Sequence, residues 1–482
     1  MPHMATAQPR TRYEVLAQYV RDCIDQGTWQ PGERLPSVRQ MAELRQVSVT
    51  TVLEAYRRLE DWGLVTARPQ SGYYVQSLPA ACCAPPSSTA PAKRTSVVGR
   101  SALIQSLLEE AQRGTRMPFG AAVVDPSVLP YQLLARMQGR ILREQPAAAQ
   151  KYVFPPGHEG LRHQIARRLG MAGYAGSGDE VIITAGCTEA IHVCLGAVLR
   201  PGDTVAIESP AYYAMLEWLE IHGVHALPIR THPETGMDMD ALEEVLRAGA
   251  VQAVFVVPSF SNPLGACMPP EAKQRLAQLA ARHETPVIED DIYGELAFAR
   301  ERPPLVKSFD QQGWVMCCGS FSKVLAAGFR IGWTAPGRFY GEVLRRKRVS
   351  SMACATSEQL TLAEYLEHGG YDRHLRRLRR TLHDNAQRFL KHVSDAFPEG
   401  TRMARPQGGF LLWVELPRAL DTAKLKQAAL RHGISIAPGA LFALDDRYNH
   451  CLRLNTGVPW SENTAAGLHT LGALAKEQAR GK

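Results

Sequence analysis

Residues 77–100 read SLPAACCAPPSSTAPAKRTSVVGR, and no packed core can run through them. Ala, Pro and Ser dominate, and no apolar position recurs at helical or strand spacing, which is the composition of a linker. A chain of 482 residues interrupted in this way cannot close around one core. The expected division is a head over 10–76, a linker over 77–100 and a body over 101–478, opened by the amphipathic segment SALIQSLLEEAQR.

Charge does not by itself assign a partner. The chain carries +8 overall, yet residues 1–76 hold nine arginines against eight acids, so a nucleic-acid reading of the head must rest on pattern. No run of about 18 uncharged apolar residues suggests a membrane span, and the first residues lack a signal-peptide stretch, which points to the cytosol. The ten cysteines, including the doublets Cys82/Cys83 and Cys317/Cys318, form no C-x-x-C pair and read as reduced thiols. His232, Glu234, Asp238 and Asp240 in HPETGMDMD have no coherent ligand spacing, so no metal is expected.

In the head, RYEVLAQYVRDCIDQG sets Val15, Leu16, Tyr19, Val20 and Ile24 on one helical stripe ended by Gly27. A turn at Pro31-Gly32, a short helix capped near Ser37, a turn and a second helix from about Ser48 follow. That is the helix-turn-helix plan, and VTARPQSGYYV adds a hairpin with Ser71-Gly72 at its tip. Such patterns also occur in small helical interaction domains. The ordered set PGERLPSVRQMA, SVTTVLEAYRRL, GLV and QSGYYV resembles the winged helix-turn-helix head of the GntR family. The resemblance implies binding to double-stranded operator DNA through Arg39, Ser48, Thr50, Thr51 and Gly72. Many relatives carry arginine where Val49 and Leu53 stand, so guanine readout at those two places does not carry over.

The body alternates β-branched runs (EVIITAG, DTVAIES, AVFVVPSF, TPVIEDD, WVMCCGSFSK) with longer helical segments. This predicts an α/β fold with a mostly parallel, doubly wound sheet and its ligands at the carboxyl ends of the strands. Lys323 ends an apolar run, where burial would lower its pKa and free its amine. Taken singly the other motifs are ambiguous: TAGCTEA can be a turn, Tyr212 a core tyrosine, SFSNPLG a loop, the acids of IEDD solvated, and Arg453 an edge-strand charge.

In order, these motifs resemble fold-type I aminotransferases over roughly residues 115–475, with a large part over about 115–345 and a smaller C-terminal α+β part over about 346–478. The resemblance implies pyridoxal 5′-phosphate (PLP) held as a Schiff base on Lys323. Gly186, Cys187, Thr188, Ser320, Ser322 and Arg330 would surround its phosphate. Tyr212 would stack on the ring, Asn262 and Tyr293 would meet its phenolic oxygen, and Asp290 its pyridine nitrogen. Tyr152 of KYVFPPGHEG matches a tyrosine that reaches the neighbouring subunit's phosphate, which implies a homodimer. Arg453 matches the arginine that binds a substrate carboxylate.

A GntR head on such a body is similar to the MocR/GabR group of bacterial regulators, whose dimers are head-to-tail. It implies a cytoplasmic transcription factor, at the nucleoid when bound to DNA, that senses an amino acid, an amine or the cofactor itself. A working aminotransferase with a regulatory head, and a cofactor that is purely structural, are the alternatives. The basic segments LRRKRVSS and RHLRRLRRTLHDNAQR read as solvated helix faces or a dimer surface, with further DNA contact as the other reading.

Overall fold

The computed structural model describes residues 11–25, 28–30, 32–61, 64–68, 71–76, 84–88, 101–368 and 370–481. Gly27, Pro31, Cys82, Cys83 and most of 77–100 lie outside them. Two compact units result, one holding Met1–Ala81 and the other nearly all the rest.

The first unit has three helices, α1 (Arg12–Asp25), α2 (Val38–Arg45) and α3 (Val49–Asp61), then the antiparallel strands β1 (Val65–Arg68) and β2 (Gly72–Val75). In α3, Val52, Ala55, Tyr56 and Leu59 recur at helical spacing and are fully buried, so this one face closes the small core. The buried face of α1 runs through Leu16, Ala17, Val20 and Cys23. Val15 and Tyr19, expected on that stripe, flank it and stay exposed, each being one residue, about 100° of helix, off its line. Arg45 covers the Tyr19 ring at 3.3 Å. Ser37 caps α2 in a reciprocal box with Gln40, and Ser48 Oγ accepts the Thr51 amide at 3.1 Å to start α3.

The second unit opens with α4 (Ser101–Arg113) and the two-residue strand β3 (Met117–Pro118). Its main strands are β4 (Ile182–Thr184), β5 (Thr204–Ser209), β6 (His225–His232), β7 (Gly236–Met237), β8 (Ala253–Val256), β9 (Val287–Asp290), β10 (Val315–Ser320) and β11 (Gly332–Ala335). They form one sheet in the order β4-β11-β10-β9-β8-β5-β6-β7. The inner pairs β10/β9, β9/β8, β8/β5 and β5/β6 are parallel, while β11 runs antiparallel between β10 and β4. All five strands read from the sequence are present. Parallel pairing brings Ser209, Val256, Asp290 and Ser320 to the same edge of the sheet.

A smaller antiparallel sheet holds β12 (Arg402–Met403), β13 (Leu411–Glu415), β15 (Ala437–Pro438) and β16 (Cys451–Asn455) in the order β12-β13-β16-β15. The two-residue strand β14 (Ile434–Ser435) pairs with β3, so Met117 and Pro118 pack with the C-terminal layer although they precede the large sheet in sequence. Residues 84–88 lie on this layer too. Ser87 Oγ donates to Glu415 Oε1 at 2.7 Å, and the Ala84 carbonyl accepts the Met403 amide at 3.2 Å. Burial pushes the Glu415 carboxyl up, but His450 and Ser87 override it and hold its pKa at about 2.

Asp238, set aside as a ligand, caps the helix Met239–Arg247 instead. Among the described residues no group of three His, Cys, Asp or Glu could hold a metal ion, and no helix is long and apolar enough to cross a membrane.

Candidate functional site

At the carboxyl edge of the large sheet lies a cavity of about 250 Å³. Cys187, Thr188, Tyr212, Asn262, Asp290 and Tyr293 line it, with Ser320, Ser322, Lys323 and Arg330 completing the polar side. These ten residues come from motifs up to 143 positions apart, and the parallel sheet is what gathers them.

Lys323 lies three residues beyond the end of β10 at Ser320. Its Nζ donates to the Ala122 carbonyl at 2.7 Å, and burial, together with the nearby Arg453 charge, lowers its pKa to about 8. The next carbonyl, that of Val324, is 2.6 Å from His374 Nε2 on the helix Gly370–Ala396. A carbonyl only accepts, so Nε2 carries the proton, and this bond ties the lysine loop to that helix.

Asp290 ends β9. Burial raises its pKa to about 6, against the pull of the Cys187 thiol and the Ile292 amide. Both donate to Oδ1, at 3.2 and 3.0 Å, which leaves Oδ2 without a protein donor among the described residues. The flanking Glu289 and Asp291 do not line the cavity, and they are buried rather than solvated. Glu289 accepts the Val306 and Lys307 amides at 2.8 and 2.9 Å, and Asp291 pairs with Arg302 at 2.5 Å. Acids without partners could not be buried at this depth, so Arg302 and the 306–307 amides settle their environment.

The helix Cys187–Val198 begins at Gly186, whose φ of +84° suits glycine, and no side chain caps its free amides. An added Cβ at Gly186 would collide with Arg330 Nη2. Arg330 itself donates to Ser322 Oγ at 3.3 Å and to the Ala185 carbonyl at 3.4 Å. Ser320 Oγ accepts the Ser322 amide at 3.3 Å. An uncapped helix start beside a guanidinium is chemically suited to an anion. Its loop is pinned by Glu189, which accepts the Ala185 amide at 2.6 Å and the buried Lys347 ammonium at 2.8 Å.

Arg453 is not on an edge. It lies on β16, between β13 and β15, and is fully buried. Nη1 donates to Asn262 Oδ1 at 2.8 Å and Nη2 to the Gly120 carbonyl, while Nε has no partner. Because Oδ1 faces the arginine, the Asn262 amide nitrogen is left as a donor. Tyr293 is buried against Phe410, and Tyr212 stacks obliquely on Tyr213 with ring centres 5.1 Å apart. Burial raises the pKa of both phenols, so they stay protonated.

Tyr152 does not join this cavity within the protomer. It is 67% exposed and stacked on Phe154, which is exposed as well. Sequence reasoning missed His374, Glu189 and the α4 side chains Leu107, Leu108 and Ala111 that form the far wall. Only the last had a signal, the apolar face of SALIQSLLEEAQR.

In the first unit, Arg39 and Thr50 are exposed, on α2 and the first turn of α3. Ser48 and Thr51 share a hydroxyl contact of 2.8 Å, so part of their hydrogen-bonding capacity is spent on the cap. Gly72 sits at the hairpin turn with φ +106°, beside the Arg34 guanidinium. Val49 is 46% exposed and Leu53 half-buried, so this helix offers apolar surface where an arginine would reach base edges.

The family model "Aminotransferase class I and II" matches residues 130–466, and "Bacterial regulatory proteins, gntR family" matches 12–75. An uncharacterized HTH-type transcriptional regulator of Escherichia coli, YdcR, is 38% identical over 467 residues, covering 97% of this chain and 99% of its own. A 2-aminoadipate transaminase of Thermus thermophilus is 31% identical over 78% of this chain and 94% of its own. The solved structure of LysN, an α-aminoadipate aminotransferase also from Thermus thermophilus, complexed with N-(5′-phosphopyridoxyl)-L-leucine, superposes with a TM-score of 0.73 at 29% identity, over 80% of this chain and 98% of that one. With the head and the body each matched by a family model and a relative matched along nearly the whole length, the chain belongs to the GntR-type transcriptional regulators that carry a class I and II aminotransferase domain of fold type I.

Proposed function

We propose that this protein is a dimeric, cytoplasmic transcription factor that binds PLP at Lys323 and reads an amino acid or amine through it. The single observation that carries the reading is the convergence of Lys323, Asp290 and Arg330 in one cavity of a chain with a DNA-binding head. The residues fit the cofactor: an uncapped helix start beside Arg330 suits a phosphate, and a carboxylate oxygen lacking a donor suits a protonated ring nitrogen. When bound, PLP supplies an aldehyde that condenses with amines and a ring that withdraws electrons.

The chain's own residues do the rest. Lys323, with its pKa lowered to about 8, keeps roughly a tenth of its amine neutral at pH 7 and takes the proton back on release. Asp290 Oδ2 holds a proton on the ring nitrogen. The Asn262 amide and the Tyr293 hydroxyl donate to the phenolic oxygen, and Tyr212 covers one face. Gly186, Cys187 and Thr188 bind the phosphate with Ser320, Ser322 and Arg330. Tyr152 reaches the other subunit's site, in a head-to-tail pair. Arg453, with its unpartnered Nε, takes the effector's carboxylate. Arg39, Ser48, Thr50, Thr51 and the Gly72 turn contact operator DNA. Ligand controls DNA binding to the extent that it favours one arrangement of the dimer over another.

The intact set also supports a working aminotransferase, and one experiment separates the two. The near-visible absorption of PLP-loaded protein is recorded while amino acids and amines are added singly. A band that shifts and stays shifted, with altered operator affinity that Lys323→Ala abolishes, supports the sensor. Repeated turnover with a keto acid makes it an enzyme. Absence of any band that depends on Lys323 refutes the assignment of the cofactor.

A further inference from the structure

The two walls of the cavity differ in kind. The sheet side carries the polar lining residues beside Ile191, Val257 and Ile292, whereas the facing side is built wholly by Leu107, Leu108 and Ala111 of α4 and by Ala121, Ala122 and Val123 after it. The wall is close enough to touch the reacting group, because the Ala122 carbonyl accepts from Lys323 Nζ. Anything whose amine approaches Lys323 therefore lays its remaining atoms against that surface.

Cations in the cavity are few and committed. Lys323 and Arg330 are the only cationic side chains among its described lining residues. Arg330 is engaged at the helix start by Ser322 and the Ala185 carbonyl. Arg453, directly behind Asn262, is fully buried with both Nη atoms engaged, so it can meet one carboxylate only by giving up its bond to Asn262. A second carboxylate on the ligand would meet Leu108 and Val123, with no further cation among the protomer's described lining residues. Desolvating a carboxylate against aliphatic groups without a partner is strongly unfavourable.

We infer that α4, through Leu107, Leu108 and Ala111, restricts the effector to amino acids with one carboxylate and an uncharged, apolar side chain. This deepens the reading above and rests on it. The class differs from the dicarboxylic 2-aminoadipate named for the Thermus relative.

The test titrates PLP-loaded protein with L-leucine, L-methionine, L-glutamate and L-2-aminoadipate, reading the near-visible band and the shift in Tm in parallel. The apolar pair should act at concentrations at least about tenfold lower than the acidic pair, the scale of discrimination an apolar pocket achieves. Leu107 belongs to a buried cluster, so the diagnostic variant is Leu108→Arg at the 52% exposed position, with folding checked by circular dichroism and Ala111→Lys as a second variant. Either should shift the preference toward L-glutamate. Equal response to both pairs in the native protein, or an unchanged preference in both folded variants, overturns the inference while leaving PLP binding intact. No band with PLP and no Tm shift with any of the four would sink both readings together.

Discussion

The proton affinity of Lys323 makes a quantitative claim about how fast the apoprotein takes up its cofactor. Only the neutral amine attacks an aldehyde. A pKa of about 8 leaves roughly 10% of it neutral at pH 7, whereas the ordinary 10.5 leaves about 0.03%, so the lowered value is worth ~300-fold in reactive amine. The sign follows directly. Below about pH 7 the rate of band formation after mixing apoprotein with PLP should climb tenfold per pH unit, and it should flatten above about pH 8.5. Stopped-flow absorbance from pH 6 to pH 10 measures this. Arg453→Gln removes a positive neighbour that helps to lower the value, and should move the bend to higher pH. A rate that keeps rising linearly through pH 10 would refute the claim that burial has tuned this lysine.

Three further outcomes are expected. Gly332→Ala would set a Cβ 2.7 Å from the Cys187 amide nitrogen and 2.8 Å from Gly186 Cα, displacing the helix start; PLP affinity, read by absorbance titration, should fall at least about tenfold. Arg39→Ala should weaken DNA binding uniformly across sequences and reduce the salt slope by about 1, measured by anisotropy at several salt concentrations. Glu415, depressed from an ordinary 4.5 to about 2, contributes stability that is complete above pH 4.5 and lost as pH falls toward 2; Glu415→Gln should flatten that limb of urea-melt stability against pH, and Ser87→Ala should flatten it in part.

Residue identity was informative wherever chemistry demands a particular side chain. Lys323, Asp290, Asn262, Arg330 and Arg453 are all brought to one cavity or directly behind it, and the strand endings that carry them were readable as β-branched runs closing in polar residues. The Ala122 and Gly120 carbonyls were not readable, because backbone acceptors leave no mark in side-chain type. Tertiary partners account for the other departures. Arg302 and the 306–307 amides hold Glu289 and Asp291 in the interior, which the strand pattern alone could not reveal. Ser87 reaches a carboxylate 328 positions away, so a segment with linker composition is anchored to the small sheet. Val15 and Tyr19 show the limit of a stripe read without its neighbours, since five apolar residues left the face undetermined by one position.

The bond from Arg453 to Asn262 joins two binding events that are separate in chemistry. The guanidinium proposed above to take a carboxylate also fixes which end of the asparagine amide faces the cavity. An anion that draws Arg453 away frees the amide to turn over and present its oxygen, which cannot donate. Around a closed thermodynamic cycle the effect must be mutual: whatever factor the anion imposes on the affinity for the cofactor, the cofactor imposes on the affinity for the anion. Carboxylates without any amine, too simple to react, would then still change how tightly the cofactor is held.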